Sequence, residues 1–271
     1  MNKKDSLDII AQVVLNIVDD AAKCILFFYH NNSSLVTTKK SDNSPLSQAD
    51  LSSNEIIISS LQKHFSYPIL SEEKTGDFTM PQNDKFWVVD PLDGTKEFIS
   101  GSDEFTINIA LVENGVPLLG VVSVPAYNEI YYAIRGVGAF VRKNGYDRRI
   151  NCSGCNNLKK ANISISRSHF DPRLKQVFNK NNIVNVIHKG SAVKYCAIAN
   201  GTADASIRIT PLMVWDICAS HCILFEAGGM ITDFYGKELR YCSENLKFVN
   251  GIVASNCYIH SELLRLIKDV E

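Results

Sequence analysis

Two aspartates flank a proline and a leucine at the point where an apolar segment ends. Phe86–Val89 has the composition of a short buried strand, and Asp90-Pro91-Leu92-Asp93-Gly94-Thr95 follows it directly. A turn here can direct both carboxylates and the Leu92 carbonyl oxygen to one point outside the sheet, and hard oxygen ligands of this kind suit Mg²⁺. In a simpler interpretation, Asp93 and Gly94 form an Asx-type turn that satisfies local backbone donors. The spacing leaves both interpretations open.

Three further acidic positions are candidates for the same site. Glu72 follows a short apolar run, Asp50 lies three residues after Ser47 at the start of a helical pattern, and Asp216 starts another such pattern. Each has a structural alternative, namely a solvated loop for Glu72, a helix capping box for Asp50 and an N-cap for Asp216. Spacing alone does not show that these side chains meet.

The elements that must position these residues change character near the middle of the chain. Apolar residues at helical spacing predict two opening helices, over about 7–28 and 49–65. Alternating segments separated by Asn114-Gly115 and Tyr127-Asn128 then predict antiparallel hairpins within 105–134. From residue 163 onward, strand and helix patterns alternate, which is typical of an α/β arrangement. The predicted fold class is therefore α+β.

A polar segment, 151–160, separates the two parts. It predicts a boundary between an N-terminal α+β half over 1–155 and a C-terminal α/β half over 156–271. The first half would then hold the metal, and the second would complete the substrate site.

Charge and composition exclude several classes of protein. The 28 basic and 29 acidic residues leave a net charge of −1, so no general attraction to nucleic acid or anionic lipid is expected. Asp8, Asp19 and Lys23 interrupt the first apolar stretch, which indicates an amphipathic helix rather than a signal peptide or a membrane span. We therefore expect a cytoplasmic protein with no nucleic-acid partner and no integral membrane segment.

The eight cysteines are expected to be reduced in that compartment. Cys152 and Cys155 have the spacing of half a zinc site, but no second pair follows at a suitable distance. We therefore expect the cysteines to be structural residues.

Two longer motifs resemble those of a known family. Trp87–Thr95 and Trp215–Ala219, with Gly228-Gly229 after the second, are similar to the hallmark segments of the inositol monophosphatase superfamily of Mg²⁺-dependent, Li⁺-sensitive phosphatases. Within it, the chain most resembles the bacterial 3′(2′),5′-bisphosphate nucleotidases. The segments that carry this second resemblance are Asp42–Asp50, Leu70–Glu73, Lys96-Glu97-Phe98 and Ile165–His169.

The resemblance implies a layered αβαβα sandwich of the sugar-phosphatase type and a cluster of two or three Mg²⁺ ions. By resemblance, one ion would be held by Glu72, Asp90 and the Leu92 carbonyl. A second would share Asp90 and add Asp93 and Asp216. Such ions offset the carboxylates and bind a phosphate dianion.

Catalytic roles follow from the same resemblance. Thr95, linked to Asp50, would orient and deprotonate the attacking water. Glu72 would hold the metal ion to which that water is bound. The Gly94, Thr95 and Lys96 amides would receive the scissile phosphate, and Lys96 would add positive charge. The resemblance places Glu72, Leu92, Asp93 and Asp216 against the substrate as well.

Four residues of the second half would decide the substrate. By resemblance to the nucleotide-specific members, His169, Ser191, Lys194 and Arg208 line the nucleoside and 5′-phosphate side. A doubly phosphorylated nucleotide needs a cationic subsite of this kind. The alternatives are an exposed helix position for Lys194, a surface ion pair for Arg208 and a loop cap for His169.

The resemblance implies an Mg²⁺-dependent phosphomonoesterase that converts adenosine 3′,5′-bisphosphate to AMP and phosphate. The resemblance adds 3′-phosphoadenylyl sulfate as a second substrate, sensitivity to Li⁺ and a place in sulfur metabolism. It leaves open the oligomeric state and a peripheral association with the inner membrane. The alternatives are an inositol monophosphatase or sugar bisphosphatase with the same metal core, and a non-catalytic nucleotide-binding regulator.

Overall fold

The computed structural model describes residues 3–31, 37–39, 45–74, 85–168, 171–242 and 245–270. Within them, helices and sheets alternate in five layers. The helices are α1 (Lys3–His30), α2 (Gln48–His64), α3 (Thr95–Ile99), α4 (Pro172–Lys180), α5 (Val193–Ala199), α6 (Val214–Glu226) and α7 (His260–Leu266). The strands are β1 (Thr37–Lys39), β2 (Pro45–Ser47), β3 (Ile69–Ser71), β4 (Lys85–Asp93), β5 (Thr106–Glu113), β6 (Val116–Val124), β7 (Glu129–Ile134), β8 (Gly138–Lys143), β9 (Tyr146–Ile150), β10 (Ile163–Ser166), β11 (Val186–Lys189), β12 (Ala205–Arg208), β13 (Leu212–Met213), β14 (Gly229–Thr232), β15 (Lys247–Phe248) and β16 (Ile252–Asn256).

The larger sheet has seven strands in sequence order, from β3 to β9. Its strands pair antiparallel except for β3 and β4, which are parallel. Alternate residues of β4 face different cores, because Trp87 and Val89 pack in the core that contains α1 and α2, whereas Phe86 and Val88 pack in the core that contains α5 and α6. Both faces of this sheet are therefore covered by helices.

The smaller sheet has five strands in the order β11-β10-β12-β16-β14. Strands β11, β10 and β12 are parallel, and β16 pairs antiparallel with both β12 and β14. A third apolar core packs this sheet against α4 and α7 on its outer side. Helices α5 and α6 fill the layer between the two sheets. The predicted αβαβα sandwich is confirmed, and the two terminal helix layers complete it.

Most predicted elements are present with small shifts in their ends, but one hairpin was missed. Strands β8 and β9 join through Asn144 and Gly145, which both have positive φ. An Asn-Gly pair is a strong hairpin signal, so the sequence did contain the information. The sequence also predicted that the strand ends at Val89 and that a turn follows. This prediction is wrong, because β4 continues through Asp93.

The structure also bears on the expectations for the cysteines and for a membrane span. All eight cysteines are free thiols, with Cys196, Cys218 and Cys222 buried in the core. No helix among the described residues has the length and apolarity needed to cross a membrane. The division at residue 155 stays a prediction.

Candidate active site

The ends of two neighbouring strands bring the first acidic residues together. Ser71, the last residue of β3, pairs with Val89 of β4. The next amide, that of Glu72, donates a hydrogen bond to the Val89 carbonyl oxygen at 3.1 Å. Glu72 therefore lies beside Asp90 at one edge of the sheet.

A β-bulge in β4 lets Asp90 and Asp93 face the same way. Asp90 pairs with Asn108 and Asp93 pairs with Thr106, so three steps along β4 match two along β5. Side chains three apart in a regular strand point to opposite faces, and the extra residue corrects this. The hydroxyl of Ser53 on α2 donates to the Pro91 carbonyl at 2.8 Å and anchors the bulge.

The two aspartates have different hydrogen-bond partners. Asp90 Oδ1 accepts from the Leu92 amide at 3.1 Å, so the Asx-type turn forms at Asp90 rather than at Asp93. Asp93 Oδ2 accepts from Thr106 Oγ1 at 3.3 Å and from Asn108 Nδ2 at 3.4 Å. The local-turn interpretation of Asp93 is therefore wrong, because its oxygen is held by the neighbouring strand.

Helix α6 delivers the fourth carboxylate. Asp216 lies in its first turn and accepts a hydrogen bond from the Met213 amide at 3.1 Å. Met213 is the N-cap, so the N-cap interpretation of Asp216 is wrong. One carboxylate oxygen each from Glu72, Asp90 and Asp216 lies within 4.8 Å of the other two. Among the described residues, this close group does not include Asp93, which lies beside it in β4.

Burial, reinforced by neighbouring negative charge, raises the pKa values of Asp90, Asp93 and Asp216. Burial raises the pKa of Asp90 well above its usual range, and the charges of Glu72, Asp93 and Asp216 add to the effect. Desolvation raises the pKa of Asp216 to about 8, with Asp93 and Glu72 as further causes. Desolvation also raises the pKa of Asp93, although Lys194 opposes it.

The donor set fits a hard divalent cation. The buried oxygen Oδ2 of Asp90 has no hydrogen-bond partner among the described residues, which is costly for a carboxylate unless a cation neutralises it. Carboxylate oxygens at this spacing, with the Leu92 carbonyl in the same bulge, match the preferences of Mg²⁺. The metal-ligand roles of these residues stay a prediction.

Thr95 and Asp50 form a hydrogen-bonded pair next to this cluster. Gly94 has φ +88°, which favours glycine, and Thr95 begins α3 directly after it. Thr95 Oγ1 lies 3.0 Å from Asp50 Oδ1 and 3.3 Å from the Leu92 carbonyl oxygen. Asp50 Oδ2 accepts from the Ser47 amide at 2.8 Å and from the Ser47 hydroxyl. The capping box is therefore present, and its acidic residue also faces Thr95.

A cleft of about 240 Å³ joins this cluster to the second half of the chain. Lys194 of α5 and Arg208 at the end of β12 line it together with Ser191, while Lys96 lies exposed at its rim. Lys194 is 3% exposed, so the exposed-helix interpretation is wrong. Its ammonium donates to the Ser191 carbonyl and lies 4.8 Å from the Tyr195 ring centroid.

Lys194 and Arg208 are not the exposed surface groups that the alternative interpretations of the sequence described. Burial lowers the pKa of Lys194 to about 8, while the charge of Asp93 raises it. Arg208 is half-buried, and its guanidinium points to the carbonyl oxygens of Thr210 and Pro211 at 3.4 Å rather than to a surface carboxylate. His169 lies outside the described residues.

Sequence reasoning missed several residues that shape the cleft. Tyr195, Met213 and Trp215 line it, and Thr106 and Asn108 hold Asp93. Thr106 and Asn108 are polar positions two apart in an otherwise apolar strand, a signal that could have marked them. Tyr195 and Met213 carry no comparable signal, because apolar and aromatic residues are ordinary core residues.

The sequence model of the inositol monophosphatase family matches residues 6–271. The chain belongs to the inositol monophosphatase family. This assignment confirms the resemblance drawn from the two motifs, and it confirms the prediction of a phosphoric monoester hydrolase.

Individual relatives within the inositol monophosphatase family have different named activities. The 3′(2′),5′-bisphosphate nucleotidase CysQ of Buchnera aphidicola subsp. Acyrthosiphon pisum is 35% identical over 246 residues, which cover 89% of this chain and 92% of that protein. The fructose-1,6-bisphosphatase/inositol-1-monophosphatase of Thermotoga maritima is also 35% identical, over 83% of each protein. The crystal structure of CysQ from Bacteroides thetaiotaomicron matches with a TM-score of 0.73 at 32% identity, covering 91% of this chain and 97% of that one.

Overall identity separates the two named activities by only a few per cent. The CysQ proteins of Escherichia coli and Salmonella typhimurium are 37% and 38% identical to this chain, and the Thermotoga maritima protein is 35% identical. The choice depends on the residues that face the cleft.

Proposed function

We propose that this protein is a Mg²⁺-dependent phosphomonoesterase that removes the 3′-phosphate of adenosine 3′,5′-bisphosphate and releases AMP and phosphate. The observation that carries the proposal is the pairing, in one cleft, of the carboxylate cluster with the buried cation Lys194. The CysQ relatives, named as bisphosphate nucleotidases, support the same substrate class.

Glu72, Asp90, Asp93, Asp216 and the Leu92 carbonyl would hold the metal ions. Bound Mg²⁺ would neutralise the carboxylates, lower the pKa of the attacking water and stabilise charge on the phosphoryl oxygens. The chain itself keeps the ligands in place through the bulge in β4 and the first turn of α6. Pre-positioned ligands of this kind lose little freedom when the substrate binds.

Thr95 and Asp50 would handle the proton. The Thr95 hydroxyl can donate to Asp50 Oδ1, which leaves its lone pairs to accept a proton from water. As the water oxygen bonds to phosphorus, Thr95 would take the water proton and pass its own to Asp50. The bond to the 3′-oxygen would break, and that oxygen would take a proton from a solvent water to become the hydroxyl of AMP, while Asp50 returns its proton to solvent. Ser47 supports the step because it holds the other Asp50 oxygen.

Lys194 and Arg208 would select the nucleotide. A second phosphate brings a further negative charge into a cleft that five carboxylates already line, and a buried ammonium offsets it strongly. Ser191 and His169 would contact the nucleoside side, and Lys96 would add charge at the rim. An inositol monophosphate has no second phosphate to engage Lys194, which makes it the weaker candidate.

We further propose that 3′-phosphoadenylyl sulfate is a second substrate and that Li⁺ inhibits the enzyme. The chain would act in the cytoplasm, where it would remove a by-product of sulfate activation. This substrate keeps the 5′-phosphate and carries the sulfate on it, so the same cations would bind it.

The test is phosphate release by the purified protein with Mg²⁺ on adenosine 3′,5′-bisphosphate, inositol 1-phosphate and fructose 1,6-bisphosphate. We expect a strong preference for the nucleotide, and a loss of at least about a hundredfold in Asp90→Asn. Glu113→Gln, at the far end of β5, is the matched control and should keep full activity.

Each other outcome removes one part of the proposal. Preference for either sugar phosphate would exclude the nucleotide assignment and leave the metal site intact. Unchanged activity in Asp90→Asn would contradict the mechanism. Absence of any metal-dependent turnover would favour the non-catalytic nucleotide-binding regulator.

A further inference from the structure

Glu104 is a buried carboxylate that lies outside the acidic cluster and connects two distant parts of the cleft lining. It precedes β5 and is 7% exposed. Its Oε2 accepts a hydrogen bond from the Gly190 amide at 2.8 Å and from Arg167 Nε at 3.0 Å. Lys189 Nζ lies 3.7 Å from the other oxygen. The Glu104 side chain therefore connects the start of β5, whose Thr106 and Asn108 hydrogen-bond Asp93, to the turn before α5.

The backbone at Gly190 packs directly on residue 104. A Cβ added to Gly190 would lie 2.8 Å from the Glu104 carbonyl oxygen and 2.9 Å from Glu97 Cγ. A Cβ on Gly94 would lie 3.2 Å from that carbonyl oxygen and 3.3 Å from Ser191 Cβ. The turn after Asp93, residue 104 and the Gly190-Ser191 turn are thus packed against one another at contact distance.

The residue after Gly190 has an unfavourable backbone conformation. Ser191 has φ +40°, a region that residues with a side chain rarely adopt and that persists only when the surroundings enforce it. Its carbonyl oxygen accepts the hydrogen bond of the Lys194 ammonium. The position of the Lys194 ammonium therefore depends on the strained backbone at Ser191. The Gly190 amide, just before it, is held by Glu104.

A parallel contact fixes the segment next to Arg167. The Ser168 hydroxyl donates to Glu97 Oε1, and Arg167 Nη2 donates to the His188 carbonyl oxygen at 3.0 Å. Glu97 and Glu104 are 7 residues apart in sequence and hold adjacent residues of the loop after β10. The segment after β10 and the Gly190-Ser191 turn are thus both hydrogen-bonded to the segment 97–104.

We propose that Glu104 is a positioning residue for the anionic subsite, which holds the Gly190-Ser191 turn so that Lys194 faces the second phosphate of the substrate. The inference rests on the proposed function for its choice of substrate. Arg167 orients the Glu104 carboxylate through the hydrogen bond from Nε to Oε2 and through an ion pair in which Nη2 lies 2.9 Å from the same oxygen. Glu104 touches no substrate atom in this account, and it acts only through the turn.

The test compares Glu104→Gln with Glu113→Gln, a control at the far end of the strand that Glu104 precedes, whose carboxylate pairs with Lys85 at 3.5 Å. Gln keeps the size of Glu but removes its charge. Gly190 and Arg167, which share Oε2, would then have only a neutral oxygen as acceptor, and the amide NH₂ group would face Lys189 Nζ. We expect KM for adenosine 3′,5′-bisphosphate to rise about tenfold, while KM for adenosine 3′-monophosphate and both kcat values change less than about threefold. The monophosphate is informative because it lacks the group that Lys194 would bind.

A second readout does not depend on the substrate. Hydrogen exchange of peptides covering 186–195 should become about tenfold faster in Glu104→Gln and stay unchanged in Glu113→Gln. Equal rises in KM for both nucleotides would indicate a general structural role and would overturn the inference. Unchanged exchange and unchanged KM, with the wild-type preference for the bisphosphate intact, would overturn it and leave the proposed function standing. A wild-type preference for inositol 1-phosphate would overturn both.

Discussion

The acidic residues of the site are placed where they destabilise the metal-free chain. Asp90 and Asp216 lie among like charges in a desolvated part of the protein, and their pKa values are raised for that reason. A carboxyl whose folded pKa lies above its unfolded value contributes stability that is fully present below its unfolded pKa. That contribution is lost as the pH rises through the folded value, which is about 8 for Asp216. Metal binding reverses the effect because it favours the charged form.

The first residue-scale prediction concerns the stabilisation that Mg²⁺ provides. A concentration of Mg²⁺ about a hundredfold above Kd should raise Tm by about 5 °C at about pH 8.5. The shift should be clearly smaller at about pH 6, where protons compete for Asp216. Thermal unfolding with and without Mg²⁺ at each pH measures it, because the comparison cancels other titrating groups. A shift that is larger at low pH would contradict the assignment, and Asp90→Asn should show little shift at either pH.

The second residue-scale prediction concerns the Thr95 hydroxyl. Thr95→Val keeps the branched shape but removes the group that lies 3.0 Å from Asp50. We expect kcat for phosphate release to fall by about 10²- to 10⁴-fold with little change in KM, because proton transfer is lost while substrate contacts remain. Thr95→Ser retains the hydroxyl and should keep most of the activity. Steady-state kinetics of the two variants decide the matter, and equal losses in both would point to packing instead.

At the scale of elements, the position of α6 depends on one glycine in β6. A Cβ at Gly120 would lie 2.2 Å from the Ala219 carbonyl oxygen and 2.9 Å from Cys222 Cβ. The nearest atom belongs to the helix backbone, so the helix itself would have to move. Helix α6 carries Asp216 in its first turn, and the acidic cluster therefore depends on this close approach.

Gly120→Ala should consequently destabilise the fold and weaken the site. We expect the free energy of unfolding to fall by about 2–3 kcal/mol, as for other overpacked cores. Gly154→Ala is the matched control, since no atom lies within 4 Å of its added Cβ, and its effect should stay within about 0.5 kcal/mol. Urea unfolding of the two variants tests this. Equal stability of both would mean that α6 shifts at no cost.

At the scale of the whole molecule, the middle helix layer belongs to both sheets. The core around α5 and α6 contains Val122 and Ala133 from the first half of the chain together with Ile198 and Ala254 from the second. The largest apolar core therefore forms only when both halves are present. This predicts that the two halves unfold together even though their sheets are separate.

The two tryptophans allow a direct test of that prediction. Trp87 lies in β4 and Trp215 in α6, so one reports on each half. In Trp215→Phe and Trp87→Phe, the remaining tryptophan should give a fluorescence midpoint in urea that coincides with the far-UV circular dichroism midpoint of the same variant. Separate midpoints would instead support halves 1–155 and 156–271 that fold independently.

The sequence by itself determined the kinds of residue at the site and the elements that carry them. Helical spacing predicted α1, whose residues Ile10, Val14 and Ile25 are buried as expected. The Asp-Pro-Leu-Asp-Gly-Thr segment predicted a metal site at the end of a strand and indicated the family. The helix and the family are confirmed, and the metal site stays a prediction. Sequence can indicate such features because periodicity and turn chemistry act between residues that are close in the chain.

The tertiary structure alone decided which side chains meet. Local patterns do not encode the extra residue of the β4 bulge or the approach of Asp216 to Glu72. They also do not encode the hydrogen bond from the Gly190 amide to Glu104, since each of these features depends on packing between distant elements. Lys194 shows the reason most clearly. All seven residues of α5 are buried because the helix lies between two sheets, so no polar face in its sequence could reveal where the lysine points. Burial between layers turns an ordinary helical lysine into the cation of the cleft.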